Sequence, residues 1–277
     1  MAQRRERADL PQVLRVKPGR RHVIRDLDAA VTYGWDRPQA ESVTNETLQR
    51  LHELQAKMFA DARHSLLIVL QGVDGGGKDS TIRRVCGAFN PQGCTVTSFK
   101  EPSKQELAHD FLWRIHAHAP ARGHIAIFNR SHYEDVLVPR AEKLLPVPLI
   151  EQRYGYVNDF ERMLVGADTK IVKIFLHISR REQLLRLEER LSVREKHWKF
   201  SVADIEKRQH WRAYRTAYEL ALARCSTEHA PWYLVPADRK WFRDLAVAQI
   251  LAAELQALPL RWPLLDRAAR EAMKTLK

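Results

Sequence analysis

The stretch SLLIVLQGVDGGGKDS, residues 65–80, constrains the chain more than any other. Its apolar run 66–70 is too short for a buried helix. It leads into a loop carrying Gly72, Gly75, Gly76 and Gly77, then Lys78, and a helical pattern resumes at Ser80. A short apolar run, a glycine-rich turn and a helix in that order form a strand–loop–helix unit. Gly72 to Lys78 matches the GxxxxGK phosphate-loop pattern, the Walker A motif, in the setting its mechanism needs. The glycines let backbone N–H groups turn inward around phosphate oxygens, the helix N-terminus adds partial positive charge, and the lysine spans adjacent phosphates.

The same alternation recurs along the chain. Apolar runs at 66–70, 94–99, 125–128, 171–178 and 232–235 are separated by helical periodicity over 80–88, 104–118, 147–164, 180–191 and 202–224, with a further helix over 241–255. An earlier helix over 45–63 carries Leu48, Leu51, Leu54, Met58 and Phe59 on one face. The pattern predicts an α/β fold: a parallel sheet of about five strands covered on both faces, with ligands at the carboxyl ends of the strands. Residues 1–40 read as a basic arm, wrapped on the body or partly disordered. Residues 41–260 read as the main domain and 261–277 as a tail.

Two carboxylates in the loop need an explanation. Asp79 stands where a hydroxyl residue usually meets magnesium, with Ser80 and Thr81 displaced by one and two positions. In the first helical turn it is expected to serve as a helix cap. Asp74 lies inside the loop with no helix to cap, and phosphate repels it unless a cation lies between them. Magnesium bound by both is the simplest remedy.

The segment HIAIFNRSHYEDV, residues 124–136, begins as a buried strand and ends polar. In most phosphate-loop enzymes this strand closes on a metal-linked aspartate. Here Asn129 holds that place and the acids follow at Glu134 and Asp135, so a shifted metal site is expected. Asp135 is assigned to the magnesium shell with Asp74, Arg130 to neutralising phosphate charge, and Glu134 to the acceptor.

Residues 179–212 are dense in Arg and Lys, with Trp198, Phe200 and Trp211 interleaved. Arg186 and Arg190 share a helical face, while Leu184, Leu187 and Leu191 supply an apolar one. With a phosphate loop present, the stretch at about 180–212 reads as a lid that brings cations, among them Arg180, Arg181 and Lys199, over bound phosphate. With Lys78, the phosphate-binding set is completed by Gly75, Gly76, Gly77, Asp79 and Ser80.

The formal charge of +12 favours a polyanionic partner without choosing one. No apolar run approaches the ~18 residues of a membrane span. The N-terminus lacks an apolar signal core, and Glu6 and Asp9 argue against a transit peptide. Three cysteines without CxxC spacing read as free thiols, so a cytoplasmic location is expected.

Taken together, GVDGGGKDSTIRRV, NPQGCTVTSFKEPS, HDFLWRIH, FNRSHYEDVLVPR, FLHISRREQLLRLEERL, KHWKFSVADIEKR and STEHAPWYLVPADRKWFRDLAV resemble the polyphosphate kinase 2 family over roughly residues 40–260. The resemblance implies a three-layer α/β/α phosphate-loop kinase fold with a helical lid. It also implies magnesium-dependent, reversible phosphoryl transfer between inorganic polyphosphate and nucleotides, and assembly as a homo-oligomer, dimer or tetramer. It makes Asp74 and Lys78 the loop's catalytic residues and Asp135 the second-motif acid, with Asn129 and Arg130 beside it; Asp74, Lys78, Arg130 and Asp135 are the expected catalytic set, and Asn129 and Glu134 the expected nucleotide contacts. NRSHYED resembles the branch that accepts nucleoside monophosphates as well as diphosphates; other branches carry DRSWYN. Gly75 and Gly76 depart from the common Ala-Ala, and LSVREKHWKF lacks a proline often found there.

The resemblance implies neither nucleic acid nor membrane as a partner. Two rivals remain at this level: an ATP-dependent nucleotide kinase on the same fold, and a nucleic-acid binder using the basic face. Sequence alone leaves open the preferred base, the favoured direction, and whether the loop holds donor or acceptor.

Overall fold

A computed structural model describes residues 7–274 of the chain. Five strands, β1 (Ser65–Gln71), β2 (Cys94–Ser98), β3 (Ile125–Asn129), β4 (Thr169–His177) and β5 (Trp232–Pro236), form one parallel sheet in the order β2-β3-β1-β4-β5. Every residue of β1 is buried, as expected of a central parallel strand covered on both faces.

The helices in chain order are α1 (Leu10–Val13), α2 (Arg37–Asp61), α3 (Lys78–Arg84), α4 (Lys104–Leu107), α5 (Trp113–His116) and α6 (Glu134–Glu142). They continue with α7 (Val147–Gly166), α8 (Arg180–Ser192), α9 (Val202–Gln209), α10 (Trp211–Cys225), α11 (Lys240–Gln256) and α12 (Arg267–Lys274). The period-two alternation of β1 divides the core. Leu66, Ile68 and Leu70 pack with α1, α2 and α11, whereas Leu67 and Val69 pack with α6, α7 and α10. Each such side chain contributes roughly 1.5–3 kcal/mol by leaving water, so the two faces together make a three-layer α/β/α body.

Residues 1–6 of the expected N-terminal arm and 275–277 of the expected tail lie outside the described residues. The described part of the arm packs on the body, with Leu10, Leu14, Val16, Ile24 and Ala29 buried. Its backbone lies antiparallel beside β5, with Val16 N–H donating to the Trp232 carbonyl at 2.8 Å and Leu234 N–H to the Leu14 carbonyl at 2.9 Å. The arm thereby covers a sheet edge that would otherwise offer unpaired backbone groups.

Three expectations about local structure need correction. The helix expected over 104–118 is broken into α4 and α5, because the Asp110 carboxylate accepts from Leu112 N–H at 2.9 Å and holds a turn that competes with the helix. The helix expected over 202–224 breaks at His210. Arg208 of α9 is drawn to the Arg180 carbonyl and Gln183, whereas Tyr214 of α10 is drawn to Glu142 of α6. The segment 124–136, read as a strand ending in a polar run, enters α6 at Glu134, and that helix continues to Glu142 despite Pro139 inside it. Proline removes the N–H that would bond to the carbonyl four residues earlier. That carbonyl, of Asp135, is satisfied instead by Arg153 Nη1 at 2.8 Å.

Candidate active site

The carboxyl end of β1 leads into the phosphate loop, and α3 starts at Lys78. Gly77 is the N-cap with φ 98°. An added Cβ there would run into the buried Arg243 guanidinium, so glycine is required both by conformation and by space.

Lys78 is buried and donates to the loop's own carbonyls, Gly72 at 2.7 Å and Val73 at 3.3 Å. Burial lowers its ammonium pKa to about 8, helped by Arg130 and opposed by Asp74, Glu134 and Asp79. The hydroxyls of Ser80 and Thr81 donate to the Gly77 carbonyl at 2.9 and 3.0 Å. Ser80 Oγ also accepts from Arg243 Nη1 at 3.0 Å.

Asp79 does not cap the helix. Its Oδ1 accepts from Asn129 Nδ2 at 2.9 Å and its Oδ2 lies 3.5 Å from Lys199 Nζ. The acid is in the first turn, but Asn129 at the end of β3 is within reach and claims its oxygen, while the Gly77 carbonyl serves the nearby hydroxyls. Burial pushes the carboxyl pKa up, yet the Asn129 hydrogen bond and the charges of Lys199 and Lys78 hold it below its ordinary value.

Arg130 stands at the centre of the site. Its backbone adopts φ 64°, and its guanidinium bonds to Asp74 with one nitrogen and to Glu134 Oε2 with the other, at 2.9 Å. Both acids are largely screened from solvent, with side chains 18% and 16% exposed. Burial alone would raise the Asp74 pKa; Lys78, Arg130, Lys207 and Arg190 overcome it and keep the carboxyl below its usual range.

Asp135 faces different partners. Arg114 Nη2 lies 3.3 Å from its Oδ2 and Arg153 Nη1 lies 4.0 Å from its Oδ1. Burial pushes its pKa up against the pull of these arginines. It does not line the cavity shared by Asp74, Arg130 and Glu134. The structure therefore joins Asp74, Arg130 and Glu134 at one cavity, with Lys78 bonded to the carbonyls of Gly72 and Val73 in its lining, and holds Asp79, Asn129 and Lys199 in a second cluster. Among the described residues, no group of three or more His, Cys, Asp or Glu forms a metal cage.

The basic segment is built from α8, a 3-10 turn at Arg194–Lys199 and α9. Ser179 caps α8 by accepting from Glu182 N–H at 3.1 Å. The base of α8 is fastened to the loop: Gln183 donates to the Asp74 carbonyl and Arg186 to the Gly75 carbonyl, both at 2.9 Å. Arg190 pairs with Asp204 at 2.7 Å and ties α8 to α9. Arg180 and Arg181 are exposed at the start of α8. Lys207 lines the cavity beside Asp74, with Trp211, Tyr214 and Tyr218 as an aromatic wall.

Several of these residues escape a reading of the sequence. Lys207, Gln183 and Arg243 lie far along the chain from the glycine loop, and no local spacing marks them. The i, i+4 relation of Arg186 and Arg190 was the one available signal for the α8 contacts.

The sequence model of Polyphosphate kinase 2 (PPK2) matches residues 34–260. The chain belongs to this family. It is 44% identical over 262 residues to an AMP/ADP-polyphosphate phosphotransferase from Meiothermus ruber, covering 93% of this chain and 97% of that one. It is 42% identical over 242 residues to an ADP-polyphosphate phosphotransferase from Rhodopseudomonas palustris, covering 83% of this chain and 84% of the relative. The crystal structure of polyphosphate kinase 2 from Arthrobacter aurescens TC1 superposes with a TM-score of 0.91 at 39% identity, covering 100% of this chain and 99% of that one. Within the polyphosphate kinase 2 fold, the loop, Arg130 and the α8–α9 segment thus share one end of the sheet. No helix among the described residues is long and apolar enough to cross a membrane.

Proposed function

We propose that the chain catalyses reversible, magnesium-dependent phosphoryl transfer between inorganic polyphosphate and AMP or ADP, and GMP or GDP as further acceptors, forming the corresponding di- and triphosphates. The observation that carries this reading is the junction of Arg130 with Asp74 and Glu134 beside Lys78, under a segment rich in cations. It is supported by membership of the polyphosphate kinase 2 family and by the names of its relatives.

The acceptor oxygen belongs to a phosphate already largely ionised near neutral pH, so deprotonation is a small part of the barrier. Positioning and charge cancellation must supply most of the catalysis. Lys78 exchanges the Gly72 and Val73 carbonyls for phosphate oxygens. Arg130, aimed by Asp74 and Glu134, neutralises the transferred group. Asn129 and Glu134 orient the nucleotide, while Arg180, Arg181, Lys199 and Lys207 follow the polyphosphate chain. The glycine N–H groups, with Asp79 and Ser80 framing the start of α3, complete the phosphate cradle.

Magnesium is usually bound by one or two carboxylates together with substrate phosphates and water. Asp74, kept ionised by its cationic neighbours, fits that requirement; Asp135, the second expected ligand, would have to release Arg114 to join it. When bound, the ion would offset negative charge on the reacting phosphates. The reading includes a cytoplasmic location, consistent with the free thiols Cys86, Cys94 and Cys225, and a homodimer or homotetramer.

The test is a coupled assay with polyphosphate and each of AMP, ADP, GMP and GDP, with and without magnesium. Polyphosphate-dependent formation of ADP or ATP that requires magnesium is expected. Efficient turnover of ATP with AMP while polyphosphate stays inert would replace this reading with that of an ATP-dependent nucleotide kinase.

A further inference from the structure

Behind the candidate site lies a fully buried polar cluster that the reaction itself does not use. Lys173 on β4, Glu161 on α7, and His132 and Tyr133 just before α6 all have no solvent exposure. Lys173 Nζ donates to Glu161 Oε2, to the Tyr133 hydroxyl at 2.9 Å and to the Cys225 carbonyl at 2.6 Å. All three of its donors are therefore engaged. Glu161 Oε1 accepts from the Tyr133 hydroxyl at 2.8 Å and lies 3.1 Å from His132 Nε2.

Stability gives no reason for this arrangement. Its neighbours on β4, Ile171, Val172, Ile174 and Phe175, are apolar and buried, and an apolar residue at 173 would continue the strand. Replacing a buried ion pair by well-packed apolar residues is often neutral or stabilising, whereas the pair restricts which conformations its partners can adopt. Its partners are the two residues between Ser131 and Glu134. Ser131 is fastened in turn to the end of β1, where Gln71 Nε2 donates to its hydroxyl at 3.1 Å, and that hydroxyl accepts from Tyr133 N–H at 3.2 Å. On one side of this turn is Arg130 in its left-handed conformation; on the other is Glu134, which holds the Arg130 guanidinium.

We propose that Lys173 and Glu161 are positioning residues: through His132 and Tyr133 the pair fixes the 131–133 turn, so that Arg130 and Glu134 are held in one arrangement beside Asp74. The proposal rests on the functional reading above. A displacement of about 1 Å at a reacting centre can cost ~10²-fold in rate. The pair touches no group expected to bind polyphosphate, so its loss acts on kcat.

Three variants of the full chain test this, each assayed with polyphosphate and ADP, with thermal melting followed in parallel. Tyr133→Phe removes only the hydroxyl and keeps the ring packed on Trp232. Lys173→Met/Glu161→Gln discharges the pair in one step. Asp74→Asn tests the site reading itself. The expected result is a fall in kcat of roughly 10- to 100-fold in Tyr133→Phe and in the folded double variant, with the KM for polyphosphate unchanged. Should the double variant not fold, Tyr133→Phe decides alone. Wild-type kcat in Tyr133→Phe, or a loss confined to KM, overturns the proposal. Full turnover in Asp74→Asn overturns the site reading instead.

Discussion

Arg130 binds Asp74 of the phosphate loop with one guanidinium nitrogen and Glu134 at the start of α6 with the other, 2.9 Å away. One planar fork thus couples the loop after β1 to the helix after β3. A lysine carries the charge but cannot hold two carboxylates in fixed directions. Arg130→Lys is expected to lower kcat roughly 10²-fold or more, the scale for losing one preorganised donor. Steady-state kinetics with polyphosphate and ADP would show it, and wild-type kcat would remove Arg130 from the catalytic set.

Lys78 sets a pH dependence. Its pKa is lowered to about 8, chiefly by burial, against ~10.4 for an unfolded lysine. Between those values the unfolded chain binds more protons, so this group makes stability rise with pH across that window; below it the burial penalty is fully present. For activity the direction is opposite, since neutral Lys78 cannot offset phosphate charge. The pH profile of kcat/KM should fall above pH about 8, and that of kcat at higher pH because bound phosphate favours the ammonium. An unchanged alkaline limb in Lys78→Arg would assign it to another group.

Polyphosphate carries about one charge per unit, so binding should weaken as salt rises, by the counterion release described for nucleic acids. Arg180 and Arg181 are exposed at the start of α8. Arg180→Ala and Arg181→Ala should each flatten the slope of log KM against log salt by about one, with kcat nearly kept. Parallel slopes for wild type and variants would place the polymer elsewhere.

Gly77→Ala would force a side chain into φ 98° and against the Arg243 guanidinium. Positive-φ strain alone is worth ~1–3 kcal/mol, so a clear drop in Tm together with lost activity is expected from thermal melting and assay. An unchanged Tm would show that Arg243 yields at little cost.

Much of the fold is legible in the sequence because its signals are local. All five strands fall where apolar runs meet glycine or polar punctuation, and the strand–loop–helix unit at 65–84 follows from a few adjacent residues. Expectations failed where a side chain, near or far along the chain, claims a backbone group that the apolar pattern does not mark. Asp110 breaks one helix by bonding its own backbone. Pro139 stays inside α6 because Arg153, fourteen residues later, takes the carbonyl that proline leaves free.

The candidate site divides along the same line. The GxxxxGK spacing by itself identifies a phosphate cradle, and the acids at 74, 79, 134 and 135 mark the chemistry as charge management around phosphate. Spacing could not assign those acids, because a carboxylate's role depends on which donor reaches it first. Tertiary structure gives Asp74 and Glu134 to Arg130, Asp79 to Asn129 and Lys199, and Asp135 to Arg114 and Arg153. Local spacing determines how the backbone turns; only the folded arrangement of residues far apart in the chain determines which charge each acid meets.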